Sequence, residues 1–596
     1  MERTDTASPV ARGLLAAGVL ALVGAILTAH RSPATGYEVS IYTATPQTVW
    51  LLLGVSMAVS VVVALWTPND WTRRLALGLG GGTTLTFVAM PIIRGYWFVS
   101  GGDALTHLGW ARGIESGGFH PAALHYPGMH LVSTLFANAS GVELQHAMML
   151  VILVLFGLFV TFVSLSVGVV IDRPHAVTIG AFTAFLLLPI TNLSMFVTPH
   201  TMSQAVLFSA MVVFLTFVYI RGDGGGRERT PVGGLLAISL VAIVVYHPQL
   251  AAHLLGVLVG ICAVQFVVRR RWREHPITTH RSMYGQTVLL GGAFLVWSMY
   301  HDFIQGVIEF HLMSTVEFFL GEGSAGDSVE AQGASLTEIG GSFLEVFLKI
   351  LGPVAAFCVV TTILIAWLYV GDGDHLDRVT NGLLHYVAVA LVGLAGLFGI
   401  YFFGSSGQMY FRVLGFALVF VTIAGAVAVA YGVGELPVSK WTFTTRSMVA
   451  VGFCLLFVVS MVAFFPSPYV YESSPHVSQQ SMDGHEAMLN SVPDGERIDG
   501  IRAGPNRYAD AIGGEHERTR LHGSIDSAEI EGGLIGSSEE VRYVSVDKQD
   551  RDREVIAYKE LRYSAALLDS LGELRQVNAI QSNGEVELYV VSPQDE

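Results

Sequence analysis

Cysteine, charge and, in the last quarter of the chain, tryptophan are all scarce. The 596 residues include three cysteines, Cys262, Cys358 and Cys454, each inside an apolar run with no CxxC or Cys/His spacing. A disulfide framework and a zinc finger are thereby excluded. Charged residues make up 14% of the chain, against roughly 25% in a soluble domain. Together with 52% hydrophobic residues and a mean hydropathy of +0.54, this excludes an ordinary soluble protein and indicates a polytopic membrane protein. A cleavable signal is not expected either, because Met1 to Ala11 is short and polar and the run Leu14 to Ala29 ends without a small-residue cleavage site. That run is expected to be the first span. No repeat of solenoid period is present, and the one low-complexity tract is "GDGGG" at Gly222 to Gly226.

What charge there is lies unevenly. From Pro466 to the end the sequence carries 25 Asp and Glu against 12 Lys and Arg, which accounts for most of the net charge of −15. So acidic a surface suits neither nucleic acid nor anionic lipid, and it is compatible with a protein that stays hydrated in high salt.

A span needs about 20 mainly apolar residues. Thirteen runs approach this, near 12–29, 47–66, 75–93, 147–171, 175–194, 202–220, 232–247, 250–268, 286–300, 343–370, 383–403, 412–431 and 447–465. Arg and Lys in short loops mark the cytoplasmic side. With the N-terminus inside, sixteen of them fall on cytoplasmic segments, including the cluster Arg269, Arg270, Arg271 and Arg273, whereas the outer loops and span ends hold Arg31, Arg94, Arg112 and Arg412. Arginine clusters on both flanks of the weak pair 232–247 and 250–268 require two crossings there, turning at "YHPQ". The expected architecture is therefore a plasma-membrane domain, 1–465, of about 13 transmembrane helices with a large first outer loop, 95–146. An extracellular acidic domain, 466–596, follows. Its helical run "GHEAMLNSV" and alternating runs "VRYVSV" and "VELYVV" predict a small α/β fold.

On this topology the polar residues near the membrane collect on the outer side. The first loop, "GGDALTHLGWARGIESGGFHPAALHYPGMH", supplies Asp103, His107, Arg112, Glu115, His120, His125, Tyr126 and His130. Distant loops add His200 in "VTPHTMSQ", His247 and Gln249, His301 and Asp302, His311, and the turn "GSSGQMYFR" with Gln408, Tyr410 and Arg412. Ionisable groups beside hydrocarbon are costly and usually functional. Asp103 opens a helix-like run with His107 one turn on; it serves either as a reactive carboxylate or as an N-cap. Arg412, after a glycine-rich turn, suits a lipid phosphate through its planar fork of donors; snorkelling to headgroups is the alternative. His301–Asp302, or His120 with His125 and His130, could ligate a metal, but no spacing is diagnostic.

"GDALTHLGWARGIESGGF…HYPGMHLVSTLFANASG" resembles the first outer loop of the GT-C superfamily of membrane glycosyltransferases, in which an Asp precedes an aromatic residue or His, an amphipathic helix, a "YP" or "PP", and an apolar run. The architecture is also similar to that of oligosaccharyltransferase catalytic subunits and protein mannosyltransferases, and "VNAIQSNGEVELYVVS" looks like the closing strands of their outer domains. The resemblance implies an inverting transfer from a polyprenyl-phosphate (dolichyl-phosphate-like) sugar to an extracellular glycolipid or glycoprotein acceptor. In it Asp103 acts as general base, and His107, Arg112, Tyr126, His130, His200, His247, Gln408, Tyr410 and Arg412 serve as donor- and substrate-binding candidates. It implies no cofactor. Oligosaccharyltransferases carry a "WWD"-type acceptor motif in the outer domain; here the last tryptophan is Trp441, so en bloc transfer to Asn is not expected. Acidic pairs of the kind metal-dependent members carry are missing around Asp103, so no metal is expected. The competing readings are a flippase or transporter of a lipid-linked substrate, favoured by the glycine-rich "LGLGGGTTL", and a non-catalytic envelope scaffold.

Overall fold

The computed structural model describes residues 9–592 apart from 68–70, 194, 223–229, 321–326, 372, 405–408, 435–442, 494–495, 503, 515–520 and 535–540; within the helices and strands, the side chains of 314, 318, 327–332, 434, 443 and 521–522 are also not described. Helices dominate. Among the described residues nine are long and apolar enough to cross a membrane, or ten if the pair Tyr284–Tyr300 and Asp302–Glu317, bent by 110°, forms one broken span. Helices stand at all thirteen expected positions, but besides Tyr284–Tyr300, which qualifies only as part of that pair, three do not meet that standard. Ala176–Phe185 and Pro231–Tyr246 are short, and Trp71–Val88 begins with Arg73 and Arg74 and is rich in Gly and Thr. The expected count of 13 is thus not reached by length and composition.

The helix ends follow local chemistry. Thr230 caps the Pro231–Tyr246 helix by accepting the Gly233 amide at 3.1 Å. The next helix, Pro248–Arg271, begins one residue after the first ends, with proline in its first turn, a position where the missing N–H has no intrahelical acceptor to lose. Residues 246–249 therefore turn the chain back as "YHPQ" predicts.

The tail folds into a five-stranded sheet of order β2-β1-β3-β5-β4, with β1 Ile498–Gly500, β2 Leu521–Ser524, β3 Arg542–Asp547, β4 Val577–Ser582 and β5 Val586–Val591. β1 runs parallel to β2 and β3, whereas β5 runs antiparallel to β3 and β4. Both faces are apolar. Val586 and Leu588 pack with Met488 and Leu489 of the Gln479–Ser491 helix, and Val544, Val546 and Val591 pack with Ile525, Leu568 and Leu571 on the other side.

Tail and the loop 95–146 are joined by backbone and side chain together. Phe98 and Val477 exchange two backbone hydrogen bonds, at 3.2 and 3.0 Å, and the Gly101 amide donates to Pro475 O at 2.6 Å. The loop helix Asp103–Glu115 lies against the tail helix Asn506–Gly513: Thr106 donates to the Asp510 carboxylate at 2.5 Å and Arg112 Nη1 to Ala511 O at 2.7 Å. Tyr508 and Ala511 belong to the same apolar core as the membrane helices. First loop and acidic tail therefore share one end of the bundle, as the span parity requires. Their approach depends on Gly109, where a Cβ would overlap the carbonyl of Asp510. Gly109→Ala is expected to cost about 1–3 kcal/mol, in the range of core overpacking, and to unseat the tail. Limited proteolysis and a lower Tm would report it.

Candidate active site

Asp103 is the first residue of its helix, not the cap. The N-cap is Gly102, at φ +58°, and no side chain caps this helix. An L side chain is strained at that φ, so the glycine lets the chain enter the helix sharply and leaves the Asp103 carboxylate uncommitted to backbone amides. Of the two roles the sequence left open, capping is not the one the structure displays. The side chain is 65% exposed, and its partner is Arg507 of the tail, with Nη2 2.6 Å from Oδ1. Arg507 also donates to Thr106 Oγ1 at 2.9 Å.

Asp103 faces a cavity of about 440 Å³ between the bundle and the tail, walled on the bundle side by Asn192, Phe196, His200 and Phe465, and on the tail side by Glu472, His485, Asp547, Asp550 and Arg553. The tail's contribution could not be read from the sequence: these groups come from a helix, a loop, a strand end and the helical turns after it, without a motif, and only the fold gathers them at this cavity. His485 stacks on Tyr508, centroids 3.5 Å apart and rings within 3°, and its Nε2 lies 3.7 Å from Asp547 Oδ2. Burial, reinforced by neighbouring Asp550, pushes the Asp547 carboxyl up to about 8, and burial raises Glu472 to about 7.

This raised pair sets a pH dependence. A carboxyl whose pKa is raised on folding holds its proton in the folded chain where the unfolded chain has released it. Its stabilising contribution is complete below about pH 4 and is lost as pH rises through about 7 to 8. Seating of the tail is expected to weaken from pH 5 to pH 8.5, and Asp547→Asn to flatten that slope. Tm measured against pH in both proteins checks this.

Behind Asp103 lies a nest of rings. His107 Nδ1 and His130 Nε2 are 3.1 Å apart; Trp110 lies edge-on to both imidazoles; Tyr126 is parallel to His247, 5.6 Å between centroids and 2° between planes. Burial holds His107 well below the usual imidazole range and His130 down at about 3. Both are neutral at pH 7, so they position and hydrogen-bond; they do not supply charge.

The fixed positive charge comes from Arg412, in the first turn of Met409–Gly434, whose Nη1 donates to Gln249 Oε1 at 3.0 Å. Asp103 is near enough to act electrostatically on Arg412 and on His200, and Arg412 acts on His200 and His247. Asp103, His107, Tyr126, His130, His200, His247 and Arg412 are thus brought to one region. Two other candidates are placed differently. Arg112 holds the tail through Ala511 O, and Tyr410 packs against Phe398 and Phe402. Gln408 lies outside the described residues.

No family model matches the chain, and no curated protein matches it by sequence. Among solved structures it is similar to the oligosaccharyltransferase of Archaeoglobus fulgidus in the apo form, at 11% identity and a TM-score of 0.48 over 89% of this chain and 75% of that one. It is also similar to AglB of that organism in complex with an inhibitory peptide and a dolichol-phosphate, at 11% identity and TM-score 0.45 over 88% and 72% of the two chains. ArnT from Cupriavidus metallidurans bound to undecaprenyl phosphate aligns at 11% identity and TM-score 0.41 over 92% and 100%. At identities and scores this low, the chemistry rests on the site's own geometry.

Proposed function

We propose that this protein is a membrane glycosyltransferase that moves a sugar from a polyprenyl-phosphate donor to a hydroxyl of a glycolipid or glycoprotein acceptor, with inversion at the anomeric carbon. The observation that carries this reading is the exposed carboxylate of Asp103 on the wall of a cavity between bundle and tail, near enough to the Arg412 guanidinium to act on it electrostatically. The donor's phosphate sits at Arg412 and Gln249, with the prenyl chain running down among the apolar helices. The acceptor enters from the tail side, where burial favours the neutral forms of Asp547 and Glu472 and suits a hydroxyl-rich molecule better than a cation.

Asp103 takes the acceptor hydroxyl proton as that oxygen bonds to the anomeric carbon; the bond from this carbon to the phosphate oxygen breaks, and polyprenyl phosphate leaves with a second negative charge. Arg412 faces that developing charge, and groups held ready for it need no reorganisation. The arginine distribution supports a topology with the cavity and tail extracellular and the N-terminus cytoplasmic.

Membranes containing the protein, supplied with labelled polyprenyl-phosphate sugar, are expected to move label onto a non-prenyl acceptor. Label that crosses the bilayer still attached to its prenyl carrier would favour a flippase instead.

A further inference from the structure

The far end of the bundle holds a second cluster, unconnected with the cavity. The Pro248–Arg271 helix starts beside Arg412 and ends near His275, which opens the short turn Pro276–Thr279. Asp377 lies on the helix Gly373–Thr380 and His385 in the first turn of Leu383–Phe403. Two stretches about a hundred residues apart thus converge, and the three donor atoms lie within 4.8 Å of one another.

We propose that His275, Asp377 and His385 form a site for a divalent metal ion of the zinc class. Two imidazoles and a carboxylate are a donor set zinc takes readily. His275 Nε2 is 2.9 Å from Asp377 Oδ2, and His385 Nε2 is 3.0 Å from Oδ1. The second pair is close without the alignment a hydrogen bond needs, and both its atoms are without a hydrogen-bond partner. Two ligands of one ion stand in that relation: bonds of about 2.0–2.1 Å in tetrahedral array put neighbouring donor atoms about 3.3 Å apart. The rings stand 5.2 Å apart at 61°, converging by their edges. The hydroxyl of Tyr369, 3.0 Å from His385 Nδ1, is placed to fix that ring from outside, as partners of metal-bound histidines do.

With no ion bound the cluster is also self-consistent. The Ile277 amide donates to His275 Nδ1 at 3.2 Å, leaving the proton on Nε2 to meet Asp377. An ion takes Nε2 once that proton has moved to Nδ1, at the expense of the amide contact. The side chains are 14–17% exposed, which leaves water a fourth position. Such an ion ties two connections at the end of the bundle opposite the cavity.

The test uses the full chain in nanodiscs, stripped with chelator, reloaded with zinc and desalted. One zinc per chain above the content of a His275→Gln/His385→Gln double variant is expected, with a zinc-dependent Tm rise of about 5 °C that the variant lacks. Equal zinc in both proteins overturns the proposal and leaves a hydrogen-bonded His–Asp–His cluster. Should the variant not fold, cobalt titrated into the wild-type chain decides: visible bands of a tetrahedral site saturating at one equivalent support it, and a spectrum of octahedral aqueous cobalt alone overturns it.

Discussion

Asp103→Asn is expected to lower transfer from labelled polyprenyl-phosphate sugar by about 10³-fold, within the 10²–10⁴ that a positioned general base contributes, while the protein stays folded. The amide keeps the size of the carboxylate and cannot accept the acceptor's proton. Stability changes little, because the pair Asp103 makes with Arg507 is exposed on both sides, 39% and 65%, and such pairs contribute about 0–1 kcal/mol. Donor KM is expected to stay within a few-fold of wild type, since Arg412 and Gln249 are untouched. Asp103→Glu keeps the carboxylate but moves it by one methylene, and is expected to recover part of the rate. Turnover at the original rate in Asp103→Asn would remove Asp103 from the chemistry.

The second large effect is expected at Arg412. Hydrogen bonds to charged groups contribute about 1.5–3 kcal/mol, so Arg412→Ala is expected to weaken the donor by roughly 10- to 100-fold in KM and to slow the chemical step as well, because the same guanidinium faces the departing phosphate. The two effects separate in single-turnover kinetics at saturating donor. Arg412→Lys keeps the charge but loses the planar fork that engages Gln249 and phosphate together, so it is expected to restore KM more than kcat. The neutral histidines give a contrasting result: His130→Asn, which leaves Arg412 in place, is expected to act mainly through the packing of Tyr126 and His107. If Arg412→Ala left both constants unchanged, the phosphate would have to lie elsewhere.

Architecture was legible because the bilayer imposes one length and one periodicity on every span. Apolar runs and arginine-bearing loops therefore placed helices at all the expected positions and put loop and tail on one side. The strands at Arg542–Asp547 and Val586–Val591 were legible by their alternation. The thirteenfold count was less secure, because Ala176–Phe185 and Pro231–Tyr246 are apolar but short and Trp71–Val88 is only weakly apolar. At the site, Asp103, His200, His247 and Arg412 stood out as polar residues beside hydrocarbon, where a polar group is conspicuous. Arg507, Glu472 and Asp547 did not, because in an acidic, soluble tail one more charge is no signal. Arg112 shows the converse: a conspicuous cation at the membrane surface that the fold uses to hold Ala511 O. Likewise His275, Asp377 and His385 carry no diagnostic spacing, and only the folding of two connections brings them together.

The central claim is that donor phosphate and acceptor base meet at one cavity beneath the tail. A structure of the full chain with polyprenyl phosphate bound tests it most directly: the phosphate is expected within hydrogen-bonding distance of Arg412, with Asp103 across the cavity from it and the prenyl chain descending between the helices. A phosphate bound among Arg269, Arg270 and Arg271 at the far end of the bundle, with Arg412 still paired only to Gln249, would contradict it.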